Sequence, residues 1–596
     1  MRQLLTTAPL LLTLTAVACL AFPSPQQGWQ PQQQHAFVPG HVSPSVHEME
    51  TADPLPGYAR FDQHSVLRLE ISTHDQLRQL EAYVEEKNLD LWSNLRIGTV
   101  DIRVPSTELI SFHNDIRVPY TVMIKNVQDL MPSSESLLTA QGGDNRPWNF
   151  TDNSFWQGYH DLTTLNNFTE TLVKEYPHLV KRVSLGHTYE GREVFGMSIH
   201  GYEQQEPGDG DNDDNGGHDD DDSDDDSDDD NDNKKDEKKK NKKKNKEKKE
   251  KKEKGELHRW VKKARSWWSW LVDFVEEDGH KTGSFQTSPP GPITKKPTRP
   301  KRHPKTILIH GGQHAREWIG PAVVSYIAKE LIVGYGTNKK VTKLVNTFEF
   351  TIIPVLNADG YTYTREHNRM WRKNREPTSL SFCKGVDTNR NWGYMWNQGG
   401  SSGNPCSEAY HGPKAFSSKE PRMVADYIEA RNKRGEEEDR IAQEYDSKYL
   451  SEAKKNKKKK DSDKYSGAGV VAYIDFHAYS QLWMTPFGSD CKSIPKDDED
   501  LMEGGLVAAK ALKDVHGTKF AVGGVCKIIY QASGGSLDWT YAEGGVKYSY
   551  AVELRDTGRH GFMLPEKEII PSSEETYSAF IHLTDFIRKR EKQWRR

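Results

Sequence analysis

The chain has 596 residues, 28% of them charged, with a formal net charge of -5. That length allows several domains. Beyond the N-terminus no run of the ~20 apolar residues needed to span a bilayer occurs, and the Lys tracts are offset by an adjacent Asp tract, which argues against a nucleic-acid-binding surface.

At the N-terminus, Arg2 precedes an apolar run from Leu4 to Leu20, and Ala16-Val-Ala18 and Cys19-Leu-Ala21 offer small-residue cleavage sites. Residues 1–21 therefore read as a secretory signal peptide, and the mature chain as secreted and extracellular. In that oxidising setting the four later cysteines, Cys383, Cys406, Cys491 and Cys526, fit two disulfides. None lies in a CxxC pair, so a Cys-ligated zinc is not expected. Asn149-Phe-Thr and Asn167-Phe-Thr are glycosylation sequons.

Residues 22–60, rich in Pro, Gln and His, read as a disordered pro-segment. Residues 61–130 read as a small α+β domain. Leu67, Leu69 and Ile71 alternate with polar residues as in a half-buried strand, and Thr73-x-x-Gln76 predicts a capping box before Leu77, Leu80 and Val84 at helical spacing. Val100, Ile102 and Val104 predict another strand, Ser106 a second helix, and Tyr120–Lys125 a last strand. A polar linker, 131–147, follows.

The larger domain, 148–590, alternates strands with helical patterns, which argues an α/β sheet with helices packed on it. The strands are Val194–Ile199, Thr306–Ile309, Phe350–Val355, Val470–Phe476 and Tyr548–Leu554; the helices include Val323–Leu331, Pro421–Ala430 and Glu575–Arg588. Two low-complexity insertions, 202–303 and 432–465, interrupt it. The first is Asp-rich, then Lys-rich, and cannot bury enough apolar surface to fold alone. Within it, Leu257, Trp260, Val261, Ala264, Trp267, Trp268, Leu271 and Val275 share one helical face. That Trp-rich segment, 257–275, is suited to membrane or wall contact, or to folding back onto the catalytic domain.

The chemistry begins at His310-Gly-Gly-Gln-His-Ala-Arg-Glu-Trp, which sets His314 and Glu317 three apart on a Gly-rich turn after a strand. Strand ends in α/β sheets are the usual place for such sites. By itself the pair is equally a surface turn. His477, ending the run Val471-Ala-Tyr-Ile-Asp-Phe-His, offers a third ligand at another strand end. Two His and one carboxylate with a position left for water is the catalytic zinc pattern. Such a zinc polarises a carbonyl and acidifies its water. Glu553, ending a further strand, is placed to take the proton, or else to pair with a nearby Arg. Arg372 and Arg390 lie in clusters suited to a substrate carboxylate, though structural ion pairs are the ordinary use of such arginines.

Taken in order, His314-Ala-Arg-Glu-Trp, Trp371-Arg-Lys, Asp387-Thr-Asn-Arg-Asn-Trp, His477-Ala-Tyr-Ser-Gln, Tyr530-Gln-Ala-Ser-Gly-Gly-Ser and Glu553-Leu-Arg-Asp-Thr-Gly resemble the zinc metallocarboxypeptidases of the A/B type, over about 150–201 and 304–590. Residues 65–126 resemble the activation domain of that family. The resemblance implies a mixed sheet with helices on both faces, preceded by a small α+β activation domain. It implies one Zn2+ on His314, Glu317 and His477, with Glu553 as general base and Asp387 orienting His314. Arg316 and Arg372, chiefly the latter, would stabilise the oxyanion. Asn389, Arg390 and Tyr530 would hold the terminal carboxylate of a peptide or protein, and Tyr479 is counted with the substrate-binding residues. Cys383–Cys406 matches the disulfide of the family, and Cys491–Cys526 one found in some members.

The position that separates A from B types matches Leu537, which implies apolar or aromatic C-terminal residues. Asp475 points to the same strand face as His477; inside the pocket it would admit basic residues, and otherwise it is a hydrogen-bonded support. The departures are one extra residue near Gly544-Gly545 and the two insertions. Surface insertions are well tolerated. The resemblance implies a secreted zymogen that an activating protease cuts within about 126–150. The competing reading is a catalytically silent carboxypeptidase-like protein that binds cell wall or membrane; related fungal-type proteins have the catalytic Glu replaced, whereas here Glu553, Asn389 and Arg390 are all present.

Overall fold

The computed structural model describes residues 58–93, 95–132, 153–201, 302–449 and 469–594. Residues 1–21, read above as a signal peptide, most of the 22–60 segment and of the 131–147 linker, Asn149 and the Trp-rich segment 257–275 lie outside these residues. No described helix is long and apolar enough to cross a membrane.

The N-terminal domain holds strands β1 (Ser65–Ile71), β2 (Asp90–Leu91), β3 (Gly98–Val104) and β4 (Tyr120–Ile124) and helices α1 (His74–Lys87) and α2 (Ser106–Asp115). Its sheet has the order β2-β3-β1-β4 and its pairings are antiparallel. The capping box is present: Thr73 accepts from the Gln76 backbone, and the Gln76 side chain accepts from the Thr73 N–H. Alternation divides the strands between two faces. Leu67, Leu69, Ile71, Val100, Ile102 and Val104 pack under Leu80, Tyr83 and Phe112. Val66, Trp92, Ile124 and Val127 instead join the core of the larger domain.

The larger domain is built on an eight-stranded sheet. Its strands are β5 (Val180–His187), β6 (Glu193–Ile199), β7 (Lys305–Gly311), β8 (Phe348–Ile353), β9 (Val470–Ala478), β10 (Leu482–Thr485), β11 (Ala521–Gly524) and β12 (Tyr548–Leu554). They run in the order β11-β10-β12-β9-β7-β8-β6-β5. The central four, β12, β9, β7 and β8, are mutually parallel, and antiparallel partners flank them. Such parallel strands are covered on both faces, which is why they read as near-continuous apolar runs. On one face Ile307, Ile309, Ile474 and Phe476 meet Val323 and Ile327 of α4 (Ile319–Gly334) and Phe580 and Leu583 of α11 (Ile569–Trp594). On the other, Leu308, Ile353 and Tyr473 meet Val424 and Ile428 of α7 (Lys419–Tyr449). Between these lie α3 (Leu162–Glu175), α5 (Lys339–Val345), α6 (Ala358–Glu366), α8 (Asp498–His516), α9 (Val525–Ile528) and α10 (Ser536–Ala542).

Helix α7 corrects one boundary. It continues through Tyr449, so 432–449 extends a packed helix rather than opening a low-complexity insertion there. At the start of that stretch the Asn432 side chain donates to Gly544 O at 2.8 Å and accepts from Val470 N at 2.9 Å. Both predicted cysteine pairs are disulfides, Cys383–Cys406 and Cys491–Cys526. Asn167 is exposed on α3.

Candidate active site

The site lies where β7, β9 and β12 end. After β7 the chain turns sharply through Gly311 and Gly312. Gly312 has φ +64°, and a Cβ on Gly311 would lie 2.7 Å from the Gly320 carbonyl carbon, so the turn needs glycines. It is pinned by Ala315 N–H donating to Arg372 O at 3.0 Å and closes into α4. This delivers His314 and Glu317 to one point, where β9 delivers His477.

There the two imidazoles and the carboxylate converge, all buried. His314 Nδ1 is 2.8 Å from Glu317 Oε1, His477 Nδ1 is 2.9 Å from Glu317 Oε2, and the two Nδ1 atoms are 3.1 Å apart. One ligand atom from each of the three residues lies within 4.8 Å of the others, the one such cluster among the described residues. Two nitrogen donors and a carboxylate facing one another fit a zinc ion. His314 Nε2 turns to Asp387 Oδ1 at 3.1 Å, and Arg372 Nη2 donates to Asp387 Oδ2 at 2.8 Å. Burial opposes ionisation of Asp387, but Arg372 and His314 outweigh it and hold its carboxyl well below the usual range.

Glu553 on β12 stands opposite His477 in the parallel register. Its Oε2 is buried with no hydrogen-bond partner. Burial pushes its carboxyl up to about 8; Glu317 adds to that rise, while His477 and Arg372 oppose it. A carboxyl with a buried, unpartnered oxygen and a raised pKa beside a metal donor set is suited to exchange a proton.

The other expected residues are close by. Arg390 Nη2 donates to the Tyr530 hydroxyl at 3.0 Å, and Asn389 Oδ1 accepts from Ser536 N at 2.8 Å. Leu537 packs with Met484 and Ala551, flanked by Val525 and Ile529. The neighbouring Asp538 faces elsewhere, accepting from Gly488 N and Ser489 N at 2.8 Å each. Asp475 is fully buried and engages His477 and Ser536, not a free pocket.

Two acidic residues of the N-terminal domain also reach the site, and sequence reasoning missed both. Asp90 Oδ1 accepts from Arg316 Nη1 at 2.9 Å, while Leu91 O accepts from Arg316 Nη2 at 3.2 Å. Asp101 accepts from the Tyr479 hydroxyl at 3.0 Å and is paired with Arg68. Trp92 meets Phe562 edge to face at 5.2 Å, and Phe562 also lies under Arg316 at 4.1 Å. Arg96 Nη1 donates to Ile528 O at 3.1 Å, beside the Leu537 cluster. Nothing local in the sequence marks Asp90 or Asp101 for these roles.

Family models match in the same two blocks: zinc carboxypeptidase over 292–579 and carboxypeptidase activation peptide over 67–132. Rat carboxypeptidase A2 is 30% identical over 531 residues, covering 88% of this chain and 93% of that one. This chain belongs to the zinc carboxypeptidase family. The inactive metallocarboxypeptidase ECM14 of Ajellomyces capsulatus (strain H143) is 36% identical over 308 residues, 49% of this chain and 46% of that protein. The crystal structure of thrombin activatable fibrinolysis inhibitor superposes with a TM-score of 0.60 at 24% identity, over 89% of this chain and 100% of that one, a likeness of fold. As a zinc carboxypeptidase with an activation domain, the chain carries its His-Glu-His donor set in the turn after β7 and at the end of β9, with Arg316 of that turn bonded to β2.

Proposed function

We propose that this chain is a secreted zymogen that removes single residues from peptide C-termini, preferring apolar or aromatic ones. The observation that carries the reading is the half-buried Glu553 carboxyl, its Oε2 buried without a hydrogen-bond partner, beside the donor set of His314, Glu317 and His477. Zinc held by those three residues would supply Lewis acidity and lower the pKa of a water. Glu553 would serve as the general base, taking a proton from the attacking water and passing it to the leaving nitrogen. Arg372, with Arg316, faces the carbonyl oxygen as charge develops there. Arg390, Asn389 and the Tyr530 hydroxyl hold the terminal carboxylate, which restricts cleavage to the last bond.

The apolar preference rests on Leu537, Met484 and Ala551. A basic side chain would need an acceptor there. The nearby carboxylates are not offered to a pocket: Asp475 is fully buried with Oδ2 on Ser536 and His477, and Asp538 accepts from two backbone N–H groups. Latency follows from Asp90 and Leu91, which hold Arg316 until the linker is cut. Secretion is supported by the N-terminal apolar run and the two disulfides.

The test is hydrolysis of peptides ending in Phe, Leu, Lys or Glu by the chain cleaved within 131–147, against a Glu553→Gln control. Turnover fastest on Phe and Leu is expected. Absence of turnover on every peptide, with one zinc bound, would establish the catalytically silent reading instead, to which the likeness to an inactive relative gives its weight.

A further inference from the structure

We infer that Asp475 is a positioning residue for His477: it fixes which ring nitrogen faces the metal and couples that ligand to the wall of the specificity pocket. The inference rests on the zinc reading above.

Asp475 and His477 are two apart on β9, so their side chains leave the same face of the strand. Asp475 is fully buried and His477 nearly so. Asp475 Oδ2 lies 2.8 Å from His477 Nε2. Asn389 Nδ2 is 3.3 Å from the same nitrogen, but it is a donor. With Asn389 able only to donate through that atom, the Asp475 carboxylate, at ion-pair distance, is the acceptor present for a proton on Nε2. A neutral imidazole has one N–H. Held at Nε2 by a carboxylate, that proton leaves Nδ1 as a lone pair, and Nδ1 is the atom that faces Glu317 Oε2 at 2.9 Å.

The other ligand also has a carboxylate beside its outer nitrogen: His314 presents Nδ1 to Glu317 and is hydrogen-bonded through Nε2 to Asp387. The two supports come from different places, Asp387 from a turn after the disulfide residue Cys383 and Asp475 from within the sheet. Asp475 is itself held. Ser536 Oγ donates to its Oδ2 at 2.7 Å, and His310 Nδ1 stands 3.4 Å from its Oδ1. Ser536 opens α10, and the next residue is Leu537. The carboxylate therefore ties β9 to the helix that lines the pocket, and a displacement of α10 is transmitted to His477.

The experiment uses the full chain, uncut, so no turnover is needed. Zinc affinity is measured by competition with a chromophoric chelator, and the visible d–d spectrum is recorded after cobalt substitution. His477→Ala tests the zinc reading itself: if it binds zinc as tightly as the parent chain, that reading fails whatever Asp475 does. With the reading intact, Asp475→Asn and Asp475→Ser are expected to weaken zinc binding about 10–100-fold and to change the cobalt spectrum. Asp475→Glu is expected to recover part of the affinity, and Ser536→Ala to produce a smaller change of the same sign. A purely structural carboxylate would alter melting without moving the cobalt spectrum. If Asp475→Asn is unfolded by circular dichroism, Ser536→Ala and Asp475→Glu carry the test. Zinc affinities within twofold of the parent, with superimposable cobalt spectra, in every folded variant would overturn the inference.

Discussion

Arg316 of the catalytic domain donates through Nη1 to Asp90 of the activation domain at 2.9 Å, and both side chains are almost wholly buried. Arg103 and Trp92 take the other Asp90 oxygen at 3.0 and 3.1 Å. Burial opposes the Asp90 charge, but Arg316 and Arg103 outweigh it and keep its carboxyl below the usual range. Truncating one member of a buried, hydrogen-bonded charge pair costs about 2–5 kcal/mol, much of it from the charge left behind. Asp90→Ala should therefore weaken the hold of β2 on the site. The uncut variant is expected to hydrolyse a Phe-terminated peptide at least about tenfold faster than the uncut parent, since ~1.4 kcal/mol already shifts the open fraction that much. Equal rates for the two uncut chains would show that Asp90 does not maintain latency.

The proposed general base, Glu553, is tested separately. Glu553→Gln keeps the shape of the side chain and removes its proton affinity. General-base catalysis is worth about 10²–10⁴-fold, so kcat/KM on a Phe-terminated peptide should fall by that factor while zinc stoichiometry stays at one per chain. A loss of zinc in parallel with activity would mean that the residue supports the metal rather than the reaction.

On the proposed reading, specificity depends on how apolar the Leu537 wall is. Leu537 is 4% exposed and packs on Met484 and Ala551. Leu537→Asp places a carboxylate there with no cation to meet it until a basic substrate arrives, an arrangement that disfavours an apolar side chain. The ratio of kcat/KM for Phe over Arg substrates is expected to fall about 10²-fold, in line with the discrimination an apolar pocket gives. An unchanged ratio would place the pocket elsewhere.

Some of this was legible in the sequence, and the division has a physical basis. The strands β7, β8, β9 and β12 announce themselves because strands covered on both faces carry unbroken apolar runs, and every residue of β8 and β9 is buried. β5 is an edge strand, with only Val180 fully buried in its pattern, so its apolar signal is faint. β10 and β11 have four residues each and β2 two, too short for periodicity to register. The donor pair His314 and Glu317 is local, three residues apart, and legible as a motif. His477 and Glu553 are legible as polar residues ending apolar strands. Asp90 and Arg316, 226 residues apart, meet only because two domains dock. No local pattern encodes that meeting. The same holds for Ser536 on Asp475, a contact between a helix start and a strand interior.

A buried acid away from the site gives the chain a pH signature of its own. Glu420, at the start of α7, is fully buried, with Oε2 accepting from Asn374 Nδ2 at 3.0 Å and Oε1 unpartnered. Burial, reinforced by the nearby Glu376 carboxylate, pushes it from 4.5 to about 8. The folded chain therefore holds a proton that the unfolded chain releases above about 4.5. The stability tied to that proton is complete below 4.5, declines as pH rises, and is lost once pH passes about 8. The slope is at most about 1.4 kcal/mol per pH unit for one proton. Glu420→Gln imitates the protonated side chain and should remove this component. Urea midpoints at pH 5 and pH 8.5 should differ less in the variant than in the parent, with the variant gaining most at pH 8.5. An equal pH dependence in both chains would mean that Glu420 is already charged at neutral pH, with its burial offset by other contacts of the α7 N-terminus.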